Sequence, residues 1–186
     1  MQRTWNMAMP RLFFALWPDE NTRQALTTLS ELLVKKGVKP VTPENLHVTL
    51  AFLGQVNAEQ AQFLLEHANG VHCKPVQLCF DQLSYWKKPR VLCLSARETP
   101  VALAGLARDL SGLGLACGLE MDGRPYVPHV TLAKKVSKAL VLEFEPIDWL
   151  ANAFVLAESV SQPGGVRYEP VNRWSFTCAR TQVQTE

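Results

Sequence analysis

The tetrapeptide His-Val-Thr-Leu occurs twice in the chain, at residues 47–50 within ENLHVTLAFLG and at residues 129–132 within RPYVPHVTLAK. Two of the chain's four histidines open the two copies. Side chains alternate across an extended strand, so each copy has a polar face, His47 with Thr49 and His129 with Thr131. The other face is apolar, Val48 with Leu50 and Val130 with Leu132. The apolar faces can pack beneath helices. The polar faces converge on one cleft if the two halves are related by a pseudo-twofold axis.

The order of elements around the copies supports two halves. An apolar run from Arg11 to Trp17 reads as a strand, ended by Pro18, and DENTRQALTTLSELLVKKG reads as a helix. Its inner face is Ala25, Leu29, Leu32 and Leu33, and Gly37 closes it. After the first motif strand, Asn57 followed by Gln60 reads as the cap of a helix that ends at Gly70. PVQLCFDQLSYW and RVLCLSA read as two strands joined at Lys87–Pro89. Thr99 and Pro100 read as N-cap and first turn of a helix to about Cys117, weakened by Gly105, Gly112 and Gly114. The second motif strand follows, then a closing hairpin of NAFVLAESV and RYEPVNRWSF around SQPGG. The expected fold is α+β, an internal duplication with a sheet and helices in each lobe and the active-site cleft between the lobes.

Two histidines near neutral pKa can divide general-base and general-acid roles, while threonine hydroxyls hydrogen-bond the non-bridging oxygens of a phosphate held between them. Neither motif carries a third histidine or a carboxylate at ligand spacing, so no metal site is expected. His67 near a helix end and His72 in a loop read as ordinary structural residues. Taken singly, Arg90, Arg124, Lys134 and Lys135 read as surface, and Phe13, Trp86 and Tyr126 as core.

Bulk properties narrow the partner. The chain has 19 basic and 17 acidic residues, a formal charge of +2, over 186 residues with a 47% apolar fraction. That suits one compact domain with a phosphate in a pocket and argues against binding along a duplex. Five cysteines without a C-x-x-C pair, mostly in apolar runs, read as reduced core residues of a cytoplasmic protein. The apolar stretch before Pro18 and Asp19 is too short for a signal peptide or membrane span, so no membrane association is expected.

Two His-x-Thr-x motifs on strands in a chain of this length resemble the two-histidine phosphoesterase superfamily, most nearly its bacterial RNA 2′,3′-cyclic phosphodiesterases, formerly 2′-5′ RNA ligases. RLFFALWP, ENLHVTLAFLG, KPRVLCLSA, RPYVPHVTLAK and VLAESV…GGVRYEPVNRWSF carry the resemblance. It spans residues 11–180 as a single bilobal domain and leaves residues 1–10 as an extension. It implies metal-independent hydrolysis of 2′,3′-cyclic phosphate ends on RNA or nucleotides, tRNA fragments among them, to 2′-phosphomonoesters by a monomer that needs no cofactor. His47 would be proton donor, His129 proton acceptor, and Thr49 and Thr131 the phosphate-holding hydroxyls. Arg11, Phe13, Arg90, Arg124, Tyr126 and Lys134 are further substrate-binding candidates. Lys134 stands where relatives often carry arginine, which keeps charge without the planar fork. A 2′-5′ ligase joining the cyclic end to a 5′-hydroxyl, and a non-catalytic nucleotide-binding module, are the alternative readings.

Overall fold

The structure, a computed structural model, describes residues 9–177. Residues 178–180 of the expected domain, with Cys178, and residues 1–8 of the extension lie outside the described residues. Strand β1 (Arg11–Leu16) leads into helix α1 (Glu20–Lys35), capped by Asp19, whose side chain accepts from the Thr22 amide at 2.8 Å. The helix closes as expected at Gly37, which adopts φ 75°. Gly37 and Val38 donate back to the carbonyls of Val34 and Leu33, a closure that a residue with a Cβ would strain. The buried face of α1 centres on Thr22, Leu26, Leu29 and Leu33, with Ala25 and Leu32 at its rim.

Strand β2 (Val48–Gln55) carries the first motif, and helix α2 (Ala58–His67) follows behind a complete capping box. In it the Gln60 amide donates to the Asn57 side chain at 2.8 Å and the Asn57 amide to the Gln60 side chain at 3.0 Å. The next stretch departs from expectation. PVQLCFDQLSYW is not one strand but two, β3 (Val76–Phe80) and β4 (Gln82–Trp86), which belong to different sheets. Asp81 makes the transition, its backbone amide reaching the Ser95 carbonyl and its carboxylate pairing with Arg97 at 2.9 Å.

Strand β5 (Val91–Ser95), helix α3 (Val101–Ala116) and β6 (His129–Lys134) complete the second half, followed by β7 (Ile147–Ala151), β8 (Ala153–Gln162) and β9 (Gly165–Ser175). Pro100, rather than Thr99, is the N-cap of α3, and no side chain caps it. Gly114 allows a close approach: a Cβ there would lie 2.5 Å from the Met121 sulfur and 3.3 Å from Leu53 of β2, so the end of the Met121 side chain would have to shift. Cys93 is buried and Cys73 and Cys117 are partly so, but Cys79 is exposed, outside the core expected for it.

The duplication is visible in topology. β1–α1–β2 and β5–α3–β6 are matching strand–helix–strand units, each with a 16-residue helix and with its two strands paired antiparallel. Their strands form one seven-stranded sheet in the order β4-β5-β6-β2-β1-β8-β9, beside a separate β3–β7 pair. The halves join where β2 meets β6, through the single antiparallel pair Val48↔Val130. Both valines are 0% exposed, so burial rather than a long ladder holds this seam, each contributing about 1.5–3 kcal/mol. One face of the sheet covers the main core with Leu12, Phe14, Leu16, Val48, Leu92 and Val130. The opposite face carries only a small cluster, Phe13, Ala15, Val155 and Ala157, bordered by Trp17 and Tyr168.

Candidate active site

The pair Val48↔Val130 determines the geometry of the motifs. In an antiparallel pair the residues before and after it fall opposite one another, so His47 lies across from Thr131 and Thr49 across from His129. All four point away from the valines, onto the face opposite the main core. The expected convergence of two imidazoles and two hydroxyls is thus a side-by-side square at the seam between the halves.

The two histidines are held alike. His47 Nδ1–H donates to the Asn45 carbonyl at 2.7 Å, and His129 Nδ1–H donates to the Val127 carbonyl at 2.9 Å. A carbonyl only accepts, so Nδ1 carries the hydrogen in both rings and Nε2 is the nitrogen left to accept a proton. Thr49 Oγ1 donates to His47 Nε2 at 3.0 Å. The same i−2 contact in both halves is a second expression of the duplication.

Their surroundings differ. The His47 ring sits among Phe13 (5.0 Å between centroids), Tyr168 (5.0 Å, edge-on) and Trp17 (5.9 Å, nearly parallel). His129 faces Trp86 at 4.4 Å. Burial pulls the His47 pKa from 6.5 down to about 4, opposed by its bond to the Asn45 carbonyl and assisted by the charges of His129 and Lys134. Burial also lowers His129, opposed by the Val127 carbonyl. Both rings are therefore neutral in the free protein at pH 7. Cys93 lies 3.9 Å from Thr131 Oγ1, but burial pushes its thiol up to about 11, so it stays protonated and offers no thiolate.

Of the other candidates, Phe13 and Lys134 reach the site. Phe13 is 2% exposed and forms its wall rather than a free stacking surface. Lys134 Nζ donates to the Tyr168 hydroxyl at 3.3 Å. Arg90, at the β4–β5 turn, donates to the Val136 carbonyl at 3.4 Å, toward the far end of β6 from His129. Arg124 is engaged in a bidentate pair with Asp122, whose carboxyl it holds down to about 2. Tyr126 packs on the main core, its hydroxyl buried without a hydrogen-bond partner among the described residues. Arg11 stands at the opposite end of β1 from the Leu16↔Val48 pair. Among the described residues no three of His, Cys, Asp and Glu gather as a metal-ligand group, and no helix is long and apolar enough to cross a membrane.

Sequence reasoning missed Tyr168, Trp17 and Asn45, and it assigned Trp86 to the core. The Asn45 side chain binds the β8–β9 hairpin, accepting from the Tyr168 amide at 2.9 Å and donating to the Val166 carbonyl at 2.7 Å. One residue thus holds His47 through its backbone and brings Tyr168 against it through its side chain. The position of Asn45 two residues before His47 was a local signal; nothing local pointed to Tyr168.

A family model described as LigT like Phosphoesterase matches residues 16–93. The chain is 33% identical over 170 residues to the RNA 2′,3′-cyclic phosphodiesterase of Escherichia coli, covering 90% of this chain and 97% of that one. It is 30% identical to the protein of the same description from Thermus thermophilus, covering 89% and 90%. Among solved structures, E. coli LigT in apo form superposes with a TM-score of 0.83 at 31% identity, covering 92% of this chain and 99% of that one. The E. coli LigT complex with 3′-AMP gives 0.83 at 31% identity, covering 91% and 99%.

Proposed function

Because the chain belongs to the LigT-like phosphoesterase family, we propose that it hydrolyses 2′,3′-cyclic phosphate ends of RNA or nucleotides to 2′-phosphomonoesters, with no metal taking part. The observation that carries the reading is the square of His47, Thr49, His129 and Thr131 around Val48↔Val130, with each Nδ1 tied to a backbone carbonyl. Similarity to RNA 2′,3′-cyclic phosphodiesterases along nearly their whole length supports the substrate class.

His129 Nε2 takes a proton from water as the water oxygen bonds to phosphorus. The bond from phosphorus to O3′ breaks, and His47 Nε2–H protonates the departing oxygen, leaving a 2′-phosphate and a 3′-hydroxyl. Thr49 and Thr131 hydrogen-bond the non-bridging oxygens, Thr49 turning its hydroxyl from His47 to the phosphate. The entering phosphodiester anion raises the pKa of His47, so substrate binding loads the acid with its proton. Lys134, anchored by Tyr168, adds positive charge beside the phosphate. Both motifs lie in one chain and one sheet, which supports a monomer as the working unit; tRNA fragments are among the ends it could process. The four free thiols among the described residues suit a cytoplasmic setting.

Product analysis tests the reading. Phosphorus NMR of a 2′,3′-cyclic mononucleotide treated with the protein in a strong chelator is expected to show a single isomer, the 2′-phosphate. In-line opening puts nucleophile and leaving oxygen on opposite sides of phosphorus, so two histidines in fixed positions align one ester oxygen with the acid. A 3′-phosphate would reverse the assigned orientation of the ribose, and turnover that needs an added divalent ion would replace the mechanism.

The role of Tyr168 is open to a finer measurement. Tyr168→Phe keeps a ring against His47 and removes only the anchor of an exposed ammonium, so KM should rise about two- to fivefold with kcat little changed. An equal fall in kcat would place the hydroxyl in the chemical step.

A further inference from the structure

The face of the sheet that carries the catalytic square continues past it. On β1 and β2 the register Ala15↔Thr49 is followed by Phe13↔Phe52, so Phe52 stands beside Phe13, whose ring abuts His47. Phe52 is 46% exposed and is the only exposed aromatic residue among the described residues. The guanidinium of Arg11 lies over its ring, 5.0 Å from the centroid. No ion pair joins Arg11 to a carboxylate among the described residues, unlike Arg97, Arg108 and Arg124.

A half-exposed ring and a cation with no carboxylate partner among the described residues, both on the catalytic face, are the two elements by which proteins hold single-stranded nucleic acid, a stacking surface and a phosphate partner. We propose that Phe52 and Arg11 form a subsite for the RNA segment leading into the active site, a base stacking on Phe52 and a phosphate meeting Arg11. Phe52 is the next residue on this face of β2 beyond Thr49, because a bulge sets three residues of β2 against two of β1, about 7 Å at strand rise and within reach of an RNA end held at the square. The subsite is assigned to a base preceding the reacting nucleotide, so a cyclic mononucleotide does not fill it. The subsite rests on the proposed cyclic phosphodiesterase activity and makes RNA ends, rather than free cyclic nucleotides, the preferred substrate. An apolar protein partner is disfavoured by the arginine lying on the ring.

Comparing two substrates isolates the subsite. For the wild type, Phe52→Ala, Phe52→Tyr and Arg11→Gln, kcat/KM is measured on a 2′,3′-cyclic mononucleotide and on a short single-stranded RNA ending in a 2′,3′-cyclic phosphate. Phe52→Ala should lower the RNA value about five- to thirtyfold, as expected for one stacked base, with the mononucleotide value within about twofold of wild type. Phe52→Tyr should retain the RNA preference, and Arg11→Gln should lower it and weaken its salt dependence. Equal losses on both substrates would assign Phe52 to support of Phe13 and His47, and no loss on RNA would remove the subsite; either overturns the proposal. Wild-type protein inactive on both substrates would instead overturn the cyclic phosphodiesterase reading and the subsite with it, an outcome separable from failure of the subsite alone.

Discussion

His47→Ala and His129→Ala are each expected to lower kcat on a 2′,3′-cyclic nucleotide by about 10²–10⁴, the usual contribution of a positioned acid or base. The fold should survive both changes, because the seam depends on the fully buried Val48 and Val130, while both histidines are half-buried on the opposite face. The double variant should lose less than the product of the single losses, since neither proton transfer is useful without the other. Thr49→Ala and Thr131→Ala should cost less than either histidine, each removing one hydrogen bond to an oxygen that changes charge only modestly. Near-normal turnover in both histidine variants would end the two-histidine account. A threonine variant more damaging than both would make that hydroxyl a candidate nucleophile.

The second large effect is in pH. Turnover requires one proton on the pair, on the acid and not on the base, whichever ring has which role. Burial depresses both imidazoles below 6.5, His47 to about 4, so the singly protonated free enzyme becomes scarcer tenfold per pH unit above neutrality. Hence kcat/KM should fall about 100-fold between pH 7 and pH 9, with its optimum on the acid side of 6.5 and a second fall below the lower pKa. The kcat profile should lie at higher pH, because the bound phosphodiester anion favours the protonated ring. A kcat/KM flat from pH 6.5 to 8 would falsify the depressed pair in the free enzyme.

What the sequence could reveal was whatever depends on a few neighbouring residues. The pleat places His47 and Thr49 on one face whatever the partner strand, and likewise His129 and Thr131. The Asn57–Gln60 capping box and the closure at Gly37 are bonds spanning three to five positions, legible for the same reason. The α3 cap misled because Thr99–Pro100 is a sound local signal that the chain does not use, starting the helix one residue later.

Tertiary structure alone decided the rest. PVQLCFDQLSYW alternates continuously, yet its halves enter different sheets, because β3 pairs with β7 some seventy residues onward and β4 with β5. The single pair Val48↔Val130, which turns two motifs into one square, is a register chosen by burial of the two valines between halves far apart in the chain. The same applies to charge: Arg124 is engaged by Asp122, Arg90 is turned to Val136, and Lys134 is brought to the site by Tyr168 from β9. Sequence could list cations near the motifs, but which of them faces a phosphate depends on partners that only chain packing brings together.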